Sequence, residues 1–226
     1  MSDVFASDHY QQHNKARLEH LASLGLDLNG KTVLELGAGV GDLTPFFLER
    51  GCEIVAVDGR AANVAALHGR YPEVSAQVVD LENTDSNAQV FARRYEIGFC
   101  YGLLYHLSKP ASFLATVCPK VDTLLLETCV SPGQGEDINL CVEDLSIESQ
   151  SLSGRGCRPT RYWLYHQLQK YFPNVYTCVT QPRHKEFPLN WRGLDSSEGL
   201  VRSVFIASAD AIDNPLLHRG LVHEHS

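Results

Sequence analysis

The stretch Val33-Leu-Glu-Leu-Gly-Ala-Gly-Val-Gly-Asp42 sets three glycines at alternate positions just after an acidic residue. Glycine accepts the backbone angles of a tight turn and lets a ligand approach the main chain closely. A dinucleotide-binding turn reads G-x-G-x-x-G and needs a small residue where this chain has Asp42. Glu35 would repel a pyrophosphate, whereas it suits a ligand carrying ammonium and sulfonium charges. Asp58 follows 21 residues after Gly37, where an acid can accept hydrogen bonds from both hydroxyls of a ribose. Asp80 and Leu81 close the next apolar run, placing a carboxylate and a backbone N–H where an adenine could be held. In Cys100-Tyr-Gly-Leu-Leu-Tyr-His-Leu107, Gly102 again permits close approach.

His106 is the residue with a reactive role to offer. Transfer of an alkyl group to a hydroxyl requires that hydroxyl to lose a proton, and an imidazole is a suitable base. Tyr105 beside it would contact the acceptor. Glu127 could orient the acceptor, although satisfying local backbone donors is the plainer reading. Arg158 and Arg161 flank Pro159-Thr160 and would together clamp a carboxylate or phosphate. Their alternative is to pair with the acids of the preceding loop. Trp163 and Trp191 read as packing before they read as a pocket wall. Tyr10, Asn14, Arg17 and His20 share one helical face by their spacing. Tyr10 and Arg17 could touch a ligand from there, but the plainer expectation is a solvated face.

The elements that must carry these residues alternate. Strands are expected at Lys31–Leu36, Glu53–Asp58, Ser75–Asp80, Ile97–Tyr101, Thr123–Thr128, Val175–Thr180 and Val201–Ser208. Helices are expected near residues 8–24, 41–50, 60–70, 86–94, 110–118 and 159–172. That order predicts one doubly wound α/β domain with a seven-stranded, mostly parallel sheet and helices on both faces. The candidate ligand residues all fall at carboxyl ends of strands, where open α/β sheets bind ligands. Residues 1–30 would form a helical cap, 31–128 the cofactor-binding core and 211–226 a flexible tail. Segments 129–158 and 181–200 exceed ordinary connections and are expected to bind the acceptor. Their charges segregate. Residues 131–150 hold five acids and no Lys or Arg, while 151–192 hold seven Lys and Arg against Glu186 alone. Such an arc either meets an anionic partner or pairs with the acidic block.

Composition narrows the classes. A formal net charge of -8 disfavours a nucleic-acid partner, and no apolar run approaches the roughly 20 residues that span a bilayer. The first residues do not read as a secretory signal, so a cytoplasmic location with no membrane partner is expected. Seven cysteines, odd in number and without C-x-x-C spacing, read as reduced and mostly buried. Ten histidines include no H-E-x-x-H pair, so no metal site is expected; His218, His223 and His225 in the tail would bind metal only adventitiously.

Taken in order, the motifs over residues 31–128 resemble those of class I S-adenosylmethionine-dependent methyltransferases, and Gly-Leu-Leu-Tyr-His-Leu107 resembles the branch acting on small molecules. The resemblance implies that the sheet ends in an antiparallel hairpin of its last two strands. It implies S-adenosylmethionine as cofactor and S-adenosylhomocysteine as product. The methionine portion would fall to Glu35, Gly37, Ala38, Gly39 and Gly41, the ribose to Asp58 with Gly59, and the adenine to Asp80 and Leu81. Tyr101 and Gly102 would complete that set. The expected reaction is methyl transfer to a small, anionic metabolite, with oxygen as the leading acceptor atom and His106 as base. Tyr105, Glu127, Arg158 and Arg161 would hold the acceptor. An RNA nucleotide methyltransferase, a non-catalytic cofactor-binding module and an NAD-dependent oxidoreductase are the competing readings, the last opposed by Asp42. The acceptor's identity and the oligomeric state are not legible.

Overall fold

A computed structural model describes residues 7–82, 89–147, 149–194 and 200–226. Its central sheet is built from β1 (Thr32–Leu36), β2 (Glu53–Asp58), β3 (Ser75–Val78), β4 (Tyr95–Tyr101) and β5 (Val121–Val130). β8 (Asn174–Cys178), β9 (Val201–Ser208) and the two-residue β10 (Leu217–His218) complete it. The spatial order is β10-β8-β9-β5-β4-β1-β2-β3. β1 to β5 run parallel, and β9 runs antiparallel to both β5 and β8. The fold class read from the motifs is therefore the observed one, including the antiparallel pairing near the C-terminus, except that β10 makes the expected seven strands eight.

The sheet has apolar residues on both faces, as a helix-covered parallel sheet must. Leu34, Leu36, Val55 and Val57 pack one way, toward Phe113 of α4 (Pro110–Val117) and Trp163 and Leu164 of α5 (Arg161–Gln169). Val33, Ile54 and Ala56 pack the other way. They meet Leu21 of α1 (Asp8–Ser23), Phe47 of α2 (Pro45–Leu48) and Leu67 of α3 (Ala61–Arg70). Six of the seven cysteines are buried and all seven are free thiols.

The structure departs from the expected elements in four places. The helix expected at 41–50 shrinks to the four residues of α2, because Gly41 is held at φ 84° and Pro45 fits a helix only in its first turn. Of the helix expected at 86–94, residues 86–88 lie outside the described residues, and only the short turn Val90–Ala92 is helical. Segment 129–158 contains its own two-stranded sheet, β6 (Leu140–Val142) against β7 (Arg155–Cys157). The tail is not loose. β10 covers the edge of β8, and Trp191 N–H donates to His223 O while His225 N–H donates to Leu189 O. An open edge strand needs such a cover, and the last residues provide it.

Candidate active site

β1 and β4 are neighbours in space, with Glu35 level with Ala56 on one side and Phe99 on the other. Strand order reverses across this pair, and the crevice at their carboxyl ends is the natural ligand site of such a sheet. A cavity of about 350 Å³ opens there. That volume lies within the roughly 300–1,000 Å³ of small-molecule sites.

The turn after β1 forms its floor. Gly37 and Ala38 donate to Val57 O at 2.8 and 3.0 Å, folding the turn onto β2. Gly37 sits at φ 70°, and a Cβ there would stand 2.9 Å from the Leu103 side chain. Only glycine satisfies both demands. Ala38, Gly39, Glu35, Asp58, Gly59, Asp80 and Leu81 all line the same cavity, as do Tyr101, Gly102, Tyr105, His106 and Arg158. Gly41 does not. It supports the turn from behind, where a side chain would crowd Leu67 and Tyr71.

Asp58 is oriented by the turn it faces, accepting from Gly39 N–H at 2.9 Å through Oδ2 and from Arg60 N–H and Asn63 Nδ2 through Oδ1. Asp80 Oδ1 accepts from Glu82 N–H at 3.0 Å. Tyr101 Oη is buried and has no hydrogen-bond partner among the described residues, which leaves a donor at the cavity wall for a ligand. The glycine cradle, the two strand-end acids and this hydroxyl fit an adenosine-bearing ligand.

Glu35 is buried, with Oε2 receiving the Thr44 hydroxyl at 2.8 Å. Burial pushes its carboxyl up to about 7, and the Thr44 hydrogen bond offsets only part of that. Between the ordinary carboxylate value of 4.5 and about 7, the folded chain holds a proton that the unfolded chain has released. Stability therefore falls as pH rises across that window. Glu35→Gln should remove this slope, gaining on the wild type by of order 3 kcal/mol between pH 5 and 8 in urea unfolding. Equal pH profiles for the two proteins would show that Glu35 stays ionised.

A second group of residues descends from the segment after β5. The β6–β7 hairpin turns Glu143 inward, where it is 7% exposed. Its Oε2 lies 2.5 Å from His106 Nδ1 and accepts from Ser151 N–H at 2.9 Å, and its Oε1 accepts from Arg158 at 3.3 Å. Burial alone would raise this carboxyl, but His106, the Ser151 amide and Arg158 outweigh it and hold it below the ordinary value. With Nδ1 engaged, Nε2 is the His106 nitrogen available to a ligand. Tyr105 lies between two guanidiniums, 5.0 Å from Arg158 and 4.9 Å from Arg202, and burial pushes its phenol up to about 12. Glu143 was not legible as a site residue, because nothing in its neighbourhood marks which acid of an acidic loop turns inward. Glu148 of the same loop lies outside the described residues.

Two expected acceptor ligands are elsewhere. Arg161 is 4% exposed and points away, donating to Val222 O at 2.7 Å and stacking on Trp191 at 4.0 Å. The helix that begins at Arg161 carries it under the C-terminal segment, so the two-arginine clamp reduces to Arg158. Glu127 is fully buried and does not reach the cavity. It accepts from Arg17 Nη1 at 2.7 Å and Arg202 Nη1 at 3.0 Å, rather than from local backbone donors. The polar face of α1 is accordingly not solvated. Asn14, Arg17 and His20 are buried, and His20 Nε2 lies 3.1 Å from both Thr180 O and Oγ1. Arg202 arrives at this end of the sheet because an antiparallel β9 begins where β5 finishes, with Cys129 level with Arg202. The segregated charges are partly paired with each other, through Glu143 with Arg158.

The parallel sheet, its order reversal and the glycine turn define a Rossmann-like domain with its cavity at the β1–β4 crevice. A family model described as a methyltransferase domain matches residues 7–173, and the chain belongs to that family, in its class I, S-adenosylmethionine-dependent form. The ubiquinone biosynthesis O-methyltransferase of Acinetobacter baylyi is 31% identical over 124 residues, covering 54% of this chain and 48% of that protein. The chain thus spans about half the length of the relatives it matches. Among solved structures, the N-terminal domain of EvdMO1 with SAH and D-fucose superposes with a TM-score of 0.64 at 22% identity, over 90% of this chain and 85% of that one. The 1,6-didemethyltoxoflavin-N1-methyltransferase of Burkholderia thailandensis gives 0.55 at 23% identity, over 91% and 80%. Both share the fold.

Proposed function

We propose that this protein transfers a methyl group from S-adenosylmethionine to an oxygen atom of a small acceptor that carries negative charge at or near the reacting group. The observation that carries this reading is the Glu143–His106 pair at the cavity beside Arg158. When bound, the cofactor supplies an electrophilic methyl group on a sulfonium with a good leaving group, so positioning does much of the work. Glu35, Gly37, Ala38, Gly39, Asp58 and Gly59 would hold the cofactor at the first two strands. Asp80, Leu81, Tyr101 and Gly102 would hold it at the next two, with Gly41 bracing the turn.

What remains for the protein is the proton on the acceptor. His106 takes it at Nε2, and Glu143 holds Nδ1–H and stabilises the imidazolium that results. Arg158, which lines the cavity and is held by Glu143, would face an acceptor's negative charge. Transfer to oxygen is also the activity for which the A. baylyi relative is named. No helix of the described residues is long and apolar enough to cross a membrane.

Calorimetric titration with S-adenosylmethionine, S-adenosylhomocysteine and NAD tests the cofactor assignment. Micromolar binding of the first two and none of NAD is expected, after which hydroxylated acids and phenols form the acceptor screen. A folded protein silent toward all three would return the site to a vestigial module.

A further inference from the structure

We infer that His9, His184 and Glu186 form a binding site for a divalent first-row transition cation such as Zn²⁺ at the mouth of the cavity, joining α1 to the segment before β9. One ligand atom from each residue lies within 4.8 Å of the others. An ion bonded at about 2.1 Å in tetrahedral geometry would draw them to about 3.4 Å apart. That closure is a rotamer adjustment for His9, which is exposed on the first turn of α1. Two imidazoles and one carboxylate are a donor set suited to Zn²⁺ and its neighbours rather than to Mg²⁺ or Ca²⁺, which prefer oxygen alone.

The carboxylate is already aimed. Arg202 Nε holds Glu186 Oε2 at 2.6 Å, which leaves Oε1 facing His9 Nε2 at 3.5 Å. Such a held ligand loses little freedom on binding metal. A second, separate observation points the same way. His13 is 5% exposed, its ring meets the His184 ring at 4.9 Å, and its Nε2 has no hydrogen-bond partner among the described residues. Glu186 Oε2 stands 3.8 Å from that nitrogen, too far for a hydrogen bond. A buried, unpartnered imidazole nitrogen at the edge of a ligand cluster is costly unless something binds there.

His9, His13 and Glu186 also line the cavity, so an ion held here would have a coordination position open to water or to an oxygen of the acceptor. Position 9 and positions 184 and 186 come from segments far apart in sequence, which is why no ligand-spacing motif announced them. The inference does not depend on the methyl-transfer reading, since it concerns binding alone.

The test uses the full chain, free of any affinity tag and stripped with a chelator. Titration with Zn²⁺ should give one equivalent bound at micromolar affinity or tighter, and Co²⁺ should produce a visible spectrum of a low-coordinate N/O site. His9→Ala/His184→Ala should weaken binding by more than about tenfold and abolish the rise in Tm that Zn²⁺ gives the parent. His218→Ala/His223→Ala, in the C-terminal segment, should leave binding intact. The inference fails if the parent binds no Zn²⁺, or if binding persists in His9→Ala/His184→Ala with the same affinity.

Discussion

His106→Ala should bind S-adenosylmethionine as the parent does and lose a factor of about 10² to 10⁴ in kcat with a hydroxyl acceptor. That loss corresponds to roughly 3–5 kcal/mol of barrier, the contribution of a positioned base to a step whose leaving group needs no help. The side chain is only 12% exposed, and its Nδ1 is fixed by Glu143, so alanine removes the base without opening the turn that would hold the cofactor. Glu143→Gln keeps the shape and removes the charge that stabilises an imidazolium, for which a loss of roughly 10² is expected. The two effects should not add, because both act on one proton. A graded set of phenols separates a base from a mere spacer. Acceptors that ionise on their own near neutrality should lose little in His106→Ala, and weakly acidic ones should lose most. A loss that is uniform across the set, or a rise in the cofactor's Kd, would assign His106 to positioning.

What the sequence made legible was the part of the site held by local order. Gly37 follows β1 directly, Asp58 ends β2, and Asp80 and His106 lie within a few residues of the ends of β3 and β4, so their place at the sheet's edge came with the strand assignments. What it hid were residues placed by long-range pairing. Arg202 opens an antiparallel strand more than 70 residues after Glu127, and Glu143 rides a hairpin whose inward turn depends on Ser151 and Gly154. The polar face of α1 misled for the same reason. Tyr10, Asn14, Arg17 and His20 have the spacing of a solvated stripe, and it is Glu127 and Thr180, far off in sequence, that receive the buried Arg17 and His20. Arg161 misled in the opposite sense, since its nearness to Arg158 in sequence suggested a shared target that helical geometry denies.

The largest stability effect should come from Glu127→Gln. Its carboxylate lies between Arg17 and Arg202, whose side chains are 3% and 9% exposed. Burial would raise its pKa, but the two guanidiniums win and hold it at about 2. The neutral amide leaves the buried Arg17 without its carboxylate and Arg202 with Glu186 alone, a change that costs about 3–5 kcal/mol. At this chain length that is a fall of roughly 10 °C in Tm. The sign with pH follows from the depressed value. The stability Glu127 contributes is present above the ordinary 4.5 and is lost as pH falls toward about 2, so parent and variant should converge in acid. Since Arg17 belongs to α1, the variant should also free the cap, and limited proteolysis should cut near residues 8–23 first. Replacing Arg17, Glu127 and Arg202 with Met, Leu and Met, together with Glu186→Gln so that no carboxylate is left facing the lost Arg202, should recover part of the loss, because the desolvation cost goes with the attraction. A Glu127→Gln protein within about 1 kcal/mol of its parent would mean that water reaches the arginines and that the cap is held by apolar contacts such as Leu21 alone.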